Sequence, residues 1–273
     1  MIINGLLDNS LNANDRSLLY GDGVFRTLLV QQGKPLHWTQ HYNKLQHDCV
    51  SLGITCPTMQ TLQDELAQLT FSCAEGVAKI IITRGSGSRG YKPDINAVAS
   101  RILSLSSIPK YPEDYRSNGI KLHLCTMRLA HQPRLAGIKH LNRLENVLAA
   151  AEWNDPAIPE GLMLDQNNLV IEGTRSNLFM LRNGILSTPD LSRCGVAGLQ
   201  RDRVMELAAK HGLACTITDI TMTDLQAADE IFIVNSVIGL WPIRELSGYH
   251  CKQFAVSLQI QEWLNTSYDQ AAA

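Results

Sequence analysis

Ile138-Lys-His-Leu-Asn-Arg-Leu-Glu-Asn-Val-Leu-Ala-Ala-Ala151, followed further on by Val170-Ile-Glu-Gly-Thr-Arg-Ser-Asn-Leu-Phe179, decides how this chain is read. The first run turns from a glycine-flanked entrance into a leucine- and alanine-rich amphipathic pattern, which predicts a helix from about Asn142 to Trp153. Lys139 then stands just before that helix, and Gly137 permits a tight backbone beside it. The second run predicts a strand over Leu169–Glu172, closed by Gly173-Thr-Arg-Ser-Asn177. A lysine ahead of a helix is ordinarily a solvated charge, and a Glu-Gly pair after a strand is ordinarily a turn. Together they place an amine and a carboxylate at the ends of two elements, a nucleophile with a group able to hold a proton.

The flanking sequence supplies the frame. Ile2–Asn4, Gly23–Val30, Val77–Thr83 and Ile102–Ser106 read as strands, with a hairpin turn at Gln31-Gln-Gly-Lys34. Thr39 and Thr58 are expected to cap helices carrying Tyr42, Leu45, Cys49 and Leu52, and Leu62, Leu66 and Leu69. Beyond Gly119, strands are expected near Ile120–Met127, Leu162–Leu164, Leu178–Leu181, Leu213–Ile217 and Ile231–Val234. A helix is expected over Leu199–His211, stopped by Gly212. Strands outnumber helices and many are joined by short turns, which favours an α+β fold of mixed sheets with helices packed on them. Ile108-Pro-Lys-Tyr-Pro-Glu-Asp-Tyr-Arg-Ser-Asn-Gly119 has the composition of a linker. The expected organisation is a small N-terminal α/β domain over 1–107, a linker over 108–119 and a larger C-terminal domain over 120–273, with a cleft between domains.

Composition excludes several function classes. Of 273 residues, 45% are hydrophobic and 18% charged, and the net charge is −2. That is globular composition without the field that draws nucleic acid or an anionic membrane. No apolar run approaches the ~20 residues of a membrane span, and MIINGLLDNS has no signal-peptide pattern. Seven scattered cysteines, with no C-x-x-C, suit free thiols in a reducing cytoplasm. His37, His41 and His47 lie close in sequence, but no acid or cysteine completes a closed ligand set, so no metal is expected.

Further segments extend the pair. Glu172, Asn177 and Phe179 are followed by Leu186-x-Thr188 and then Val196-x-Gly198-Leu-x-Arg201. Asp15-Arg16 is followed by Tyr20-Gly-Asp-Gly-Val-Phe25. This arrangement resembles the class IV aminotransferases, the fold-type IV pyridoxal phosphate enzymes, over essentially the whole chain from Asp15 to about Pro242. The resemblance implies a two-domain fold like that of the D-amino acid aminotransferases, with pyridoxal 5'-phosphate in the interdomain cleft. It implies that Lys139 carries the cofactor covalently and that Glu172 pairs with its pyridine nitrogen. The amides of Leu199 and Gln200, at a helix start after Gly195-Val-Ala-Gly198, would hold the phosphate, with Ser236 as a second anchor. Where the family commonly has arginine on the first helix, this chain has Lys44. It either supplies a point charge to the phosphate or belongs to the solvated helix face.

Within the family, three segments resemble the aminodeoxychorismate lyases: Pro133–Glu145, Phe25-x-Thr27, and Arg84-Gly-Ser-Gly-Ser-Arg-Gly-Tyr91. D-amino acid transaminases often have tyrosine in place of Phe25. The resemblance implies a lyase that makes 4-aminobenzoate and pyruvate on the route to folate, with a D-amino acid or branched-chain aminotransferase as the alternative. Arg89, Tyr91 and Thr27 are then the substrate-binding candidates, and Arg84 is a candidate for a structural role. The family also implies a homodimer.

Overall fold

The computed structural model describes residues 1–272, with side chains through residue 266, and divides them into two units. The first contains Met1–Pro109 and Ile138–Asn142; the second contains Lys110–Gly137 and Arg143–Asp269. Residues 138–142 thus belong to the first unit although they lie well beyond Pro109 in the chain.

Unit 1 is built from β1 (Ile2–Ile3), β2 (Leu6–Leu7), α1 (Arg16–Tyr20), β3 (Gly23–Gln31), β4 (Lys34–Pro35), α2 (Trp38–Ser51), α3 (Met59–Thr70), β5 (Glu75–Thr83) and β6 (Ser100–Ser106). The strands form one antiparallel sheet in the order β2-β1-β6-β5-β3-β4. Val24, Leu28 and Val30 on β3 alternate into a core with Leu45 and Cys49 of α2 and Leu62 and Leu66 of α3. Gln32 and Gly33, both at positive φ, make the expected tight turn. Thr58 caps α3 through the Thr61 amide, as its position predicts. Thr39 does not cap α2. The hairpin feeds straight into the helix, which starts at Trp38 after His37 in a left-handed conformation, so Thr39 lies inside the first turn.

Lys139 corrects the opening expectation of a helix mouth. The chain runs extended beside β3 here: Phe25 N–H donates to Lys139 O at 3.0 Å and Leu141 N–H to Gly23 O at 2.9 Å. His140 pairs with Val24 across this short bridge. The following helix, α5 (Leu144–Ala150), is therefore shorter than Asn142–Trp153. Asn142 is held to Gly21 O at 3.1 Å, outside any helix.

Unit 2 adds α4 (Asp114–Ser117), β7 (Ile120–Leu129), α5, β8 (Glu160–Asp165), β9 (Val170–Gly173), β10 (Asn177–Arg182) and β11 (Ile185–Pro189). It continues with α6 (Leu199–Lys210), β12 (Cys215–Thr218), α7 (Met222–Gln226), β13 (Glu230–Asn235), β14 (Gly239–Leu246), β15 (Tyr249–His250) and α8 (Ala255–Ala272). Strands β10-β13-β14-β7-β8-β9 pair in that order, and β9 pairs back onto β10 through Glu172 and Asn177, so six strands close on themselves. Along β13, Ile231 and Ile233 enter one core while Phe232 and Val234 enter another that is shared with α6 and α8. Burial on both faces makes these strands read as continuous apolar runs.

The segment expected as a linker carries α4, and its Tyr111 and Tyr115 pack edge-on against Trp241 at 4.8 and 5.3 Å. No strand was expected over Gly239–Leu246, where Pro242 lowers strand propensity. The strand forms nonetheless, pairing Pro242 with Phe232 and shifting register beside β7. No helix among the described residues is long and apolar enough to cross a membrane.

Candidate functional site

In unit 2, the recurrent residues of the second quoted run are joined by hydrogen bonds. Glu172 is 4% exposed, and its Oε2 accepts the Val196 N–H at 2.8 Å. Asn177 Nδ2 donates to Val196 O at 2.7 Å, while Asn177 Oδ1 accepts from Gly198 N at 3.0 Å. Arg201 donates to Thr188 Oγ1 and Pro189 O, and Thr188 Oγ1 donates to Leu178 O. The spaced signature is thus a tie between β9, β10, β11 and the loop before α6.

Two glycines let that loop come close. Gly195 has φ +85°, and an added Cβ would meet Ile171 at 2.7 Å and Leu191 at 2.9 Å. At Gly198 a Cβ would run into Asn177 Oδ1. Gly198 is the N-cap of α6 and makes no side-chain cap bond, and the first helical turn begins at Leu199 and Gln200. A buried carboxylate beside an uncapped helix start can take a protonated heterocycle at one point and an anion at the other. Ser236 follows Asn235 at the end of β13, next to Val234, the partner of Asn177. The Asn235 side chain fixes that turn by accepting from the Val237 and Ile238 amides.

Unit 1 holds the other predicted residues. Lys139 Nζ lies 4.6 Å from the centroid of the Phe25 ring, and its backbone N–H donates to Asp48 Oδ2 at 3.1 Å. Thr27 is on the same face of β3 as Phe25 and pairs across the sheet with Lys79. Lys44 is half-buried, on the face of α2 that also presents His41, Leu45 and Asp48.

Arg89 and Tyr91 are exposed at the tip of the loop after β5. The sequence reading offered Arg84 as a structural residue but gave Arg16 no part in fixing this loop. Arg16 is 4% exposed and donates to Gly90 O at 2.9 Å, Tyr91 O at 2.8 Å and Asp22 at 2.8 Å. Arg84 grips the same Asp22 through two nitrogens and also reaches Leu52 O and Gly53 O at the end of α2. Burial pushes the Asp22 carboxyl up, but the Arg84 and Arg16 guanidiniums outweigh it and hold it below the usual carboxylate range. The Asp-Arg and Gly-Asp-Gly spacing was the available signal for this clamp.

The structure also gathers His123, Cys125 and Glu152, and His131, Asp165 and Cys194. The two acids already serve the backbone. Glu152 accepts the Thr126 and Met127 amides at the β7 irregularity, and these bonds outweigh burial and hold its carboxyl at about 2. Asp165 accepts the Asn167 and Leu169 amides in the turn after β8.

With this geometry in hand, comparison with known proteins is decisive. The sequence model of the family described as amino-transferase class IV matches residues 23–246. The chain belongs to the class IV aminotransferase family. Within the family it is 36% identical over 247 residues to a Vibrio harveyi protein named aminodeoxychorismate lyase, covering 90% of each chain. It is 29% identical to a putative branched-chain-amino-acid aminotransferase of Methanocaldococcus jannaschii, covering 88% of this chain and 84% of that protein. The crystal structure of 4-amino-4-deoxychorismate lyase from Pseudomonas aeruginosa matches at 43% identity and TM-score 0.95, covering 98% of this chain and 99% of that one. The class IV fold accounts for the α+β architecture of two sheets with helices, and the matched residues 23–246 include the Glu172–Asn177–Val196–Gly198 network described above.

Proposed function

We propose that this protein is an aminodeoxychorismate lyase, converting 4-amino-4-deoxychorismate to 4-aminobenzoate and pyruvate with pyridoxal 5'-phosphate. One observation carries the choice of lyase over transaminase: the near-full-length likeness, at 36% and 43% identity, to two proteins named as such lyases. Phe25 agrees with it, having no hydroxyl to offer a substrate carboxylate.

The residues fit the cofactor. Gly195 lets the loop before α6 pack against Ile171 and Leu191, the uncapped start of α6 suits a phosphate, and the carboxylate of Glu172 is buried and oriented. We assign Lys139 to the covalent attachment, and Leu199, Gln200 and Ser236 to the phosphate with Lys44 as counter-charge. Pyridoxal phosphate, when bound, supplies a ring that accepts the electron pair released at the substrate carbon. Glu172 keeps a proton on the pyridine nitrogen, its own position fixed by the Val196 amide. The Lys139 amine takes the proton from the substrate ring carbon that bears nitrogen. The bond from the neighbouring carbon to the enolpyruvyl oxygen then breaks, and the ring becomes aromatic. Lys139, having just gained a proton, is the economical donor to the departing three-carbon unit. Arg89 and Tyr91, with Thr27, would receive the substrate, whose two carboxylates call for a guanidinium.

Lys44→Ala is expected to weaken cofactor retention by about 1–3 kcal/mol, the loss typical of a hydrogen bond to a charged group. Equilibrium dialysis reads this directly, and unchanged affinity would remove Lys44 from the phosphate site.

The deciding assay is product analysis. Purified protein given aminodeoxychorismate and no keto acid should release aminobenzoate and pyruvate in equal amounts. Turnover that depends on a keto acid and yields a new amino acid would make it a transaminase. Arg89→Ala should raise the apparent KM far more than it disturbs the cofactor spectrum.

We place the protein in the cytoplasm, in keeping with seven free cysteines, and assign it a homodimeric state. Exposed Leu144, Val147 and Leu148, one turn apart on α5, support a covered apolar face.

A further inference from the structure

Unit 1 buries an ion pair against the backbone of Lys139. Asp48 on α2 and Arg26 on β3 are each 2% exposed, and Arg26 Nη2 donates to Asp48 Oδ2. The same oxygen accepts the Lys139 backbone N–H at 3.1 Å. Arg26 stands between Val24 and Leu28 on the inward face of β3, where those neighbours are core residues. Asp48 follows Leu45 on the helix face that covers that core.

Core stability gives no reason for such a pair. Taking a carboxylate and a guanidinium out of water is expensive, and apolar residues of similar volume commonly serve a core as well or better. The shared oxygen suggests a different role. Lys139 is anchored through both polar groups of its backbone, by N–H to Asp48 and by C=O to the Phe25 amide at 3.0 Å. With the backbone pinned, the side chain swings from a fixed pivot, and its amine rests 4.6 Å from the Phe25 ring centroid. An amine that must bind covalently, let go and then meet a carbon-bound proton depends on that pivot.

We propose that Asp48 is a positioning residue for Lys139, fixing its backbone while Arg26 balances the buried charge; this rests on the reading of Lys139 as the cofactor-bearing amine. Asp48 aims the amine and touches neither cofactor nor substrate.

The test separates positioning from packing. Asp48→Ala alone leaves Arg26 buried without its carboxylate and is expected to destabilise the fold. The double variant Arg26→Met with Asp48→Leu removes both charges and fills the same space, so its melting temperature should stay near that of the parent. If Asp48 positions Lys139, this folded double variant loses about 10- to 100-fold in kcat, since small misplacements of a reacting group cost that much. KM should change little, and borohydride fixation of the cofactor on Lys139 should slow. Asp48→Asn, whose amide oxygen can still accept from Lys139, should fall between the two. A double variant with parental kcat and parental fixation rate would overturn the proposal, leaving the pair as packing. An Asp48→Asn protein that folds yet loses as much kcat as the double variant would overturn it too, because the acceptor for the Lys139 N–H survives in it. Peptide mapping of the parent protein keeps the premise distinct: cofactor found on another lysine sinks the reading of Lys139 itself, and this proposal with it.

Discussion

Borohydride reduction of the purified protein is expected to fix the cofactor on Lys139, and Lys139→Ala is expected to cost turnover by a factor of about 10²–10⁴ or more. On the proposed assignment, two roles are lost together in that variant. The covalent hold on the cofactor goes, and so does the base that meets the substrate proton. Lys79, paired with Thr27 on β5, also approaches the Phe25 ring, at 5.1 Å, and is the competitor that the mapping has to exclude. Peptide mapping after reduction is the measurement, with steady-state turnover of Lys139→Ala beside it. A pyridoxyl group on any other lysine, or a Lys139→Ala protein that still turns over at a substantial rate, would overturn the assignment.

Glu172→Gln should retain the cofactor while turnover falls by orders of magnitude. The amide oxygen of glutamine can still accept the Val196 N–H, so the loop before α6 keeps its tie to β9. What disappears is the negative charge. A carboxylate beside a pyridine nitrogen favours the protonated ring; a neutral amide does not, so the nitrogen's pKa falls and the ring spends less time protonated at neutral pH. An unprotonated ring accepts electrons poorly, and proton removal at the substrate carbon slows accordingly. A visible spectrum and a melting temperature close to the parent's would show that binding and fold survive. Near-normal turnover in that protein would mean the electron-sink role lies elsewhere.

The parts of the fold that were legible in the sequence obey short-range rules. Thr58 is three residues from the amide it caps, and Gln32-Gly33 closes a hairpin within one turn. Gly212 sits at positive φ just past α6. The pattern from Glu172 to Arg201 was legible for another reason: a hydrogen-bonded tie between strands and a helix start restricts residue type at each point, and so leaves fixed spacings. Where the reading failed, tertiary pairing overrode local preference. Pro242 lowers strand propensity, yet it sits in β14 because neighbouring strands supply the pairing. Thr39 is a good cap residue that the hairpin carried one step too far into the helix.

By itself, then, the sequence determined the family and the α+β class and singled out the lysine, the glutamate and the glycine-lined loop, because each is written in neighbouring residues or in a constrained spacing. Only the tertiary structure decided that Lys139 runs extended beside β3, that Arg16 and Arg84 share Asp22 beneath the Arg89 loop, and that β9 closes onto β10. It also brought Asp48 to the Lys139 amide across 91 residues of chain. Such contacts join residues too far apart for any periodicity or capping rule to link. They form because a buried N–H, guanidinium or carboxylate must find a partner, and the folded chain, not the local sequence, determines which partner is within reach.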